Sequence, residues 1–169
     1  MAFDSTVGGA AANSYIPVAT ATAYLADVAN DTAWLAATAT ERETALVRAT
    51  RFIENRYIGR WPGRITEGAQ ALSWPRQYAR DRERRMIADN VIPSAVVAAA
   101  SELAVIALTD PNLFVNQNRT EGGVKREKVR VGPIEQEVEY SGSLSTIDVD
   151  RRADNVLRTL IGSTKLRRT

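Results

Sequence analysis

Glu135, Glu137 and Glu139 stand at every second position, and no other group in this chain looks so ready for acid–base chemistry. On a strand that spacing puts the three carboxylates on one face, and paired carboxylates are the apparatus of glycoside hydrolysis. The residues before them weaken that reading. Gly132-Pro133 fits a two-residue hairpin turn with glycine at the first central position. Such a turn sets Arg130 opposite Glu135, Lys128 opposite Glu137 and Arg126 opposite Glu139. Each cross-strand pair contributes about 0.2–1 kcal/mol, and no free acid pair remains. Ser73, just ahead of Trp74, has no base available to activate it. The chain has no histidine and no cysteine. That removes the commonest general base and metal ligand, the Ser-His and Cys-His nucleophiles, and any disulfide. There is no GxGxxG, Walker loop or HExxH. The expectation is a protein without catalytic, cofactor-binding or metal-binding residues.

The other chemistry on offer is cationic. Net charge is only +2, but residues 1–41 carry Asp4, Asp27, Asp31 and Glu41 and no Lys or Arg, whereas residues 42–85 carry eleven arginines. The stretch "LSWPRQYARDRERR" places Arg76, Arg80, Arg82, Arg84 and Arg85 directly after a Trp74-Pro75 step, and "GRWPGR" makes the same step at Trp61-Pro62. Arginine suits bidentate contacts to phosphate or carboxylate and stacks on aromatics, so this segment fits an interface or nucleic acid, and equally the codon habits of a GC-rich genome. Two plainer alternatives stand beside it. The arginines could form a solvated surface helix, and Trp61 and Trp74 could close an apolar lid over the neighbouring helices instead of stacking on bases. The last five residues, "KLRRT", are also basic.

The elements that must position these groups read as helices. At 169 residues the chain is predicted to be one domain with one core. Residues 1–14 are predicted to be a flexible arm, 15–161 the folded domain, and 162–169 a basic tail that is unstructured by itself. A first helix follows Pro17 and runs to about Val28. Thr38-Ala-Thr-Glu41 is a capping box, opening a second helix with Ala45, Leu46, Ala49, Phe52 and Ile53 on its apolar stripe and Glu43, Arg51 and Glu54 on the far side. Gly59 and Pro62 end it. After the 58–90 connection, Pro93 starts a third helix, 94–108, apolar on nearly every side and therefore central, with Val97, Leu103 and Ile106 inside. A hairpin spans about 124–140, and a last helix runs from about Asp148 to Ile161 with Val149, Ala153, Val156, Leu157 and Leu160 on one face and Gly162 as its stop. The fold class expected is mainly α: a bundle of about four helices, one β-hairpin and flexible termini. No apolar run approaches a membrane span, and the N-terminus lacks the basic and apolar regions of a signal peptide.

Several motifs, in order, resemble one family. "NSYIPVATATAYLAD", "AWLAATATERETALVRATRFIENRYIGRW", "QALSWPRQYARD", "VIPSAVVAAASELA" and "VKREKVRVGPIEQEVEY" are similar to successive segments of tailed-bacteriophage head-tail connector (adaptor) proteins, over roughly residues 13–161. Members of that family also carry the label DnaT-like single-stranded-DNA-binding protein. The resemblance implies a helical adaptor forming a ring, typically twelve-fold, beneath the portal. Its expected partners are the portal protein, neighbouring adaptor copies, a downstream stopper, tail or nozzle protein, and genomic DNA passing without sequence specificity. It implies manufacture in the bacterial cytoplasm, a place at the head-tail interface of the virion, and no membrane. It also implies portal contact through the C-terminal segment, here Lys165, Leu166, Arg167 and Arg168, and a role as subunit interface or DNA-channel surface for the arginine-rich segment with its two tryptophans. This chain departs from the family at "RQYARDRERRM", which is more basic than usual, and in its short basic tail. The rival reading is a single-stranded-DNA-binding module. A lytic enzyme is disfavoured by the missing histidine and the neutralised acids.

Overall fold

The computed structural model describes residues 2–28, 32–109, 126–131, 134–139 and 146–161. Among them the chain forms five helices and four short strands: α1 (Val18–Asp27), α2 (Thr32–Ala36), α3 (Ala39–Tyr57), β1 (Arg64–Ile65), β2 (Arg76–Gln77), α4 (Ser94–Thr109), β3 (Arg126–Val131), β4 (Ile134–Glu139) and α5 (Thr146–Leu157). The fold is mainly α with a small antiparallel hairpin, as the periodicities predict.

α3 begins where the capping box places it. Glu41 N donates to Thr38 Oγ1 at 3.3 Å, and Thr38 N donates back to Glu41 Oε2 at 2.8 Å. Two otherwise orphaned backbone donors are thereby satisfied, and these bonds hold the Glu41 carboxyl below its usual range. α2 is an addition to the predicted four helices. Five residues are too few to persist alone, and side chains from elsewhere hold this one. Arg42 Nε and Nη2 donate to the carbonyls of Trp34 and Leu35 at 2.8 and 3.0 Å, which places a cation at the helix C-terminus. Trp34 is buried, and its indole N–H donates to Thr22 Oγ1 on α1.

α4 is the central element, packed by α1, α2, α3 and α5. Val96, Ala99, Ala100, Leu103, Ala104 and Ile106 are buried, and the alanines allow neighbouring backbones to come close. The sequence reading put Val97 inside; it is half-buried, and Val96 takes the inner position. Glu102, the one charge on this helix, accepts from Tyr24 on α1 at 2.8 Å. α5 ends at Leu157, short of the predicted Ile161. A turn then returns Leu160 and Ile161 to the core, their N–H groups bonded to Leu157 O. Of the face read from the sequence, Val149, Ala153 and Leu157 are buried on the helix, Leu160 is buried by the turn, and Val156 is half-buried.

The hairpin has the predicted register: Arg126 pairs with Glu139, Lys128 with Glu137 and Arg130 with Glu135. The turn residues Gly132-Pro133 lie outside the described residues, as do the Gly162 stop and the tail with Lys165, Leu166, Arg167 and Arg168.

The arm is where the expectation fails most clearly. Residues 2–14 are anchored to the fold. Asn13 and Ser14 donate backbone bonds to Asp4 O at 2.8 and 3.0 Å, and Asp4 N donates to Asn13 Oδ1. Ala12, Ser14, Tyr15 and Ile16 are buried, and Tyr15 N donates to Thr50 Oγ1 on α3. A composition rich in Gly, Ala and Ser suggested looseness, but small side chains also let a segment lie flat against a helix.

Candidate nucleic-acid interface

Between α3 and α4, residues 58–91 form a lobe of turns around the two-residue ladder β1–β2, in which Arg64 pairs with Gln77 and Ile65 with Arg76. Its inner side is aromatic. Trp74 is 1% exposed and Trp61 7%. Their rings meet edge to face at 5.8 Å, and Trp61 lies 5.6 Å from Tyr57 at the end of α3. The lid reading therefore describes both tryptophans, and neither offers a face to a base. Both indole N–H groups are buried without an acceptor among the described residues. Such a group costs about 1–3 kcal/mol, which the large apolar area of the rings offsets.

Glu54 ties this lid down. It was predicted on the outer face of α3. Instead its carboxylate accepts from Ser73 N at 2.8 Å, from Ser73 Oγ at 2.6 Å and from the Tyr15 hydroxyl. Burial, and then the neighbouring Glu54 charge, push the Tyr15 hydroxyl well above its ordinary pKa. Ser73 thus does have a carboxylate at hand, contrary to the sequence reading. The same carboxylate also binds the Ser73 backbone, which makes it a clamp on the loop.

Arg76 is spent internally as well. Its Nε donates to Pro62 O at 2.7 Å, Nη1 to Ser73 O at 3.2 Å and Nη2 to Gly63 O at 2.8 Å. One guanidinium therefore stitches together the two Trp-Pro segments, and burial lowers its pKa. Three of the five guanidinium donors of Arg76 are thus engaged within the lobe, and the half-buried side chain keeps one further N–H on each Nη. Gly63 makes the crossing possible. At φ +69° a Cβ there would lie 2.2 Å from Gln77 O, a distance no side chain can occupy.

The outer side of the lobe is different. No helix forms over 76–85, so the solvated-helix alternative also falls. A bridge pairs Arg80 with Met86, and the turn between them is fixed by Asp81. The Asp81 carboxylate accepts from Arg85 N at 2.9 Å and from Arg85 Nε at 2.8 Å, the first of which does most to hold its carboxyl below the usual range. Arg82 N donates to Thr159 O, joining the turn to the end of α5. Arg80, Arg82, Arg84 and Arg85 are all exposed. Arg85 pairs with Asp81 and Glu83, and Arg80 Nη1 donates to Arg84 O. Arg82 and Arg84 form no ion pair among the described residues.

Beside these arginines stands a residue the sequence reading passed over. Tyr78 is 67% exposed, at φ 55°, with the Arg64 guanidinium 5.4 Å from its ring centroid. Ile65, Met86 and Val91 are exposed nearby in the chain. The available signal was the aromatic embedded in "RQYARD"; the two tryptophans, larger and next to proline, drew the inference instead.

A family model described as "Putative DnaT-like ssDNA binding protein" matches residues 1–169. The chain belongs to that family. No curated protein and no solved structure matches it. Among the described residues, the basic residues singled out from sequence divide three ways. Half-buried Arg76 bonds within the lobe, Arg80, Arg82, Arg84 and Arg85 lie on its surface, and Arg126, Lys128 and Arg130 stand opposite glutamates in the β3–β4 register. No cluster of acidic residues suited to a metal ion occurs among the described residues, and no helix among them is long and apolar enough to cross a membrane.

Proposed function

We propose that this protein binds single-stranded DNA through the outer face of the 58–91 lobe. The observation that carries the reading is Tyr78. A non-glycine residue at positive φ costs about 1–3 kcal/mol and persists only where surrounding structure enforces it. Here the enforced conformation turns a large aromatic ring out to solvent, next to a guanidinium and in the same lobe as two arginines that form no ion pair among the described residues. An unstacked base can lie on that ring, which contributes about 1–3 kcal/mol per base, while Arg64, Arg82 and Arg84 meet backbone phosphates. The family description points the same way. The test is fluorescence anisotropy with labelled oligonucleotides across a salt series. Tyr78→Ala should weaken binding while leaving the salt slope in place. Arg82→Ala with Arg84→Ala should flatten the slope by about 0.7 for each phosphate no longer neutralised. Tyr78→Ala binding as tightly as wild type would refute this assignment of the surface.

A second reading, the head-to-tail adaptor, draws on the order of the motifs and on one surface feature. Ile65, Met86 and Val91 are exposed in the same lobe as the arginines, a mixture that suits a protein partner at least as well as a nucleic acid. On this reading the chain is a virion protein at the head-tail interface. It assembles as a twelve-fold ring around the DNA channel and touches portal, neighbouring copies and a stopper, tail or nozzle protein. The C-terminal Lys165, Leu166, Arg167 and Arg168 then dock on the portal. Removal of residues 162–169 should abolish co-sedimentation with DNA-filled, tailless heads while leaving oligonucleotide binding unchanged. Retained co-sedimentation would remove the tail from the portal contact.

A further inference from the structure

The exposed face of Tyr78 opens onto a cleft of about 530 Å³, lined by Gln77, Tyr78, Met86, Ile87, Ala88 and Asp89. Its size is that of an ordinary small-ligand site. The lining residues combine one aromatic, three apolar residues in sequence, Met86, Ile87 and Ala88, and two polar residues, Gln77 and Asp89. That is the composition of a site for a flat heterocycle with hydrogen-bonding edges. The two polar groups are only lightly used within the protein. Gln77 Nε2 makes one long bond, 3.5 Å to Thr66 O. Asp89 accepts from Thr66 Oγ1, but through its backbone carbonyl. Its carboxylate forms no ion pair or hydrogen bond among the described residues, although Arg64, Arg80 and Arg84 belong to the same lobe.

A free carboxylate is out of place on a surface meant only for phosphate, since it repels the backbone that the arginines attract. It fits if it reads a base. An aspartate accepts hydrogen bonds from base amino groups, and two parallel donors meet a carboxylate far better than one. Among the four DNA bases only guanine carries two adjacent donors on its Watson–Crick edge, N1–H and N2–H. Thymine offers a single N3–H flanked by carbonyls that the carboxylate repels. Cytosine and adenine offer an amino group beside a ring-nitrogen acceptor.

Resting on the single-strand reading above, we infer that this cleft is a base subsite that prefers guanine: Tyr78 stacks on the base, Asp89 accepts from its N1–H and N2–H, and the Gln77 amide meets its remaining edge. The site gives an otherwise sequence-tolerant surface one selective position. It also accounts for an unpaired acid in the cleft wall of a basic lobe.

The experiment uses the full chain and dT oligonucleotides of about 12 nucleotides, within the roughly 4–16-nucleotide sites usual for single-strand binders. Matched strands carry isolated dG, deoxyinosine, dA or dC at spaced positions, which prevents quadruplex formation. Wild type should bind the dG strand about tenfold tighter than oligo-dT, equivalent to about 1.4 kcal/mol. Deoxyinosine, which lacks the N2 amino group, should fall between them. Asp89→Asn should abolish the preference and bind oligo-dT slightly tighter, because one negative charge has left the phosphate path. An unchanged thermal unfolding midpoint would show that the variant is folded. Equal binding of dG and dT strands by wild type, or a dG preference that survives in Asp89→Asn, overturns the guanine subsite and leaves single-strand binding intact. Failure to bind any oligonucleotide overturns both.

Discussion

Replacing Glu54 by alanine removes a carboxylate on α3 that binds both the N-terminal segment, at Tyr15, and the tryptophan lid, at Ser73. Three donors lose their partner at once: Ser73 N, Ser73 Oγ and the Tyr15 hydroxyl. A hydrogen bond to a charged group is worth about 1.5–3 kcal/mol, and a buried donor left unpaired costs about 1–3 kcal/mol. The Ser73 hydroxyl is half-buried and can turn to water, so its loss is small. Tyr15 is buried and the Ser73 N–H is fixed by the backbone. The two remaining groups, at about 1–3 kcal/mol each, sum to about 2–6 kcal/mol. Glu54→Gln keeps the shape and one acceptor oxygen, and its amide can donate to either hydroxyl, so it should cost about 1 kcal/mol. Urea denaturation followed by tryptophan fluorescence measures both, since Trp61 and Trp74 lie under the clamp while Trp34 reports from α2. A double-mutant cycle with Ser73→Ala should show coupling of about 0.5–3 kcal/mol, as residues in one network do. An alanine variant within about 0.5 kcal/mol of wild type, the range of an ordinary surface substitution, would refute the clamp.

Leu103→Ala, at the buried centre of α4, should cost about 2–5 kcal/mol in the same denaturation experiment; a smaller loss would mean that α4 is not the keystone. Gly63→Ala should break the β1–β2 ladder, because its Cβ would collide with Gln77 O. Faster amide exchange at residues 64–65 and 76–77 with α3 unchanged is the expected signature. Tyr24 is raised from 10.0 to about 12, chiefly by burial and then by its bond to Glu102. The folded state therefore holds this proton more tightly than the unfolded state, so its contribution is complete below about pH 10 and is lost as pH rises towards 12. Stability should fall across that interval, and Tyr24→Phe should make the fall shallower; an identical slope would show that the hydroxyl does not report on folding.

What the sequence determined by itself was local. The Thr38–Glu41 box, the alternating charges on either side of Gly132-Pro133 and the apolar spacing of α3, α4 and α5 are relations among residues a few positions apart. The backbone geometry of helix and strand turns such spacings directly into faces and registers. Those expectations hold in the structure to within a few residues. α2 escaped because five residues carry too little period to read, and its carbonyls are held by Arg42 from the next helix. The lobe was legible only as an irregular, arginine-rich stretch. Whether an arginine there faces solvent or the interior depends on which carbonyls the chain brings around it. For Arg76 these come from Pro62, Gly63 and Ser73. The same holds for Glu54, which a helical wheel sends outward and which Tyr15 and Ser73, 39 and 19 residues away, draw into a clamp. Tyr78, the least conspicuous aromatic of the lobe by sequence, became its exposed one because the tertiary structure buried both tryptophans against α3 and held the Tyr78 backbone at positive φ. A polar or aromatic side chain takes its role from the partners that distant segments supply, and only the folded chain specifies those partners.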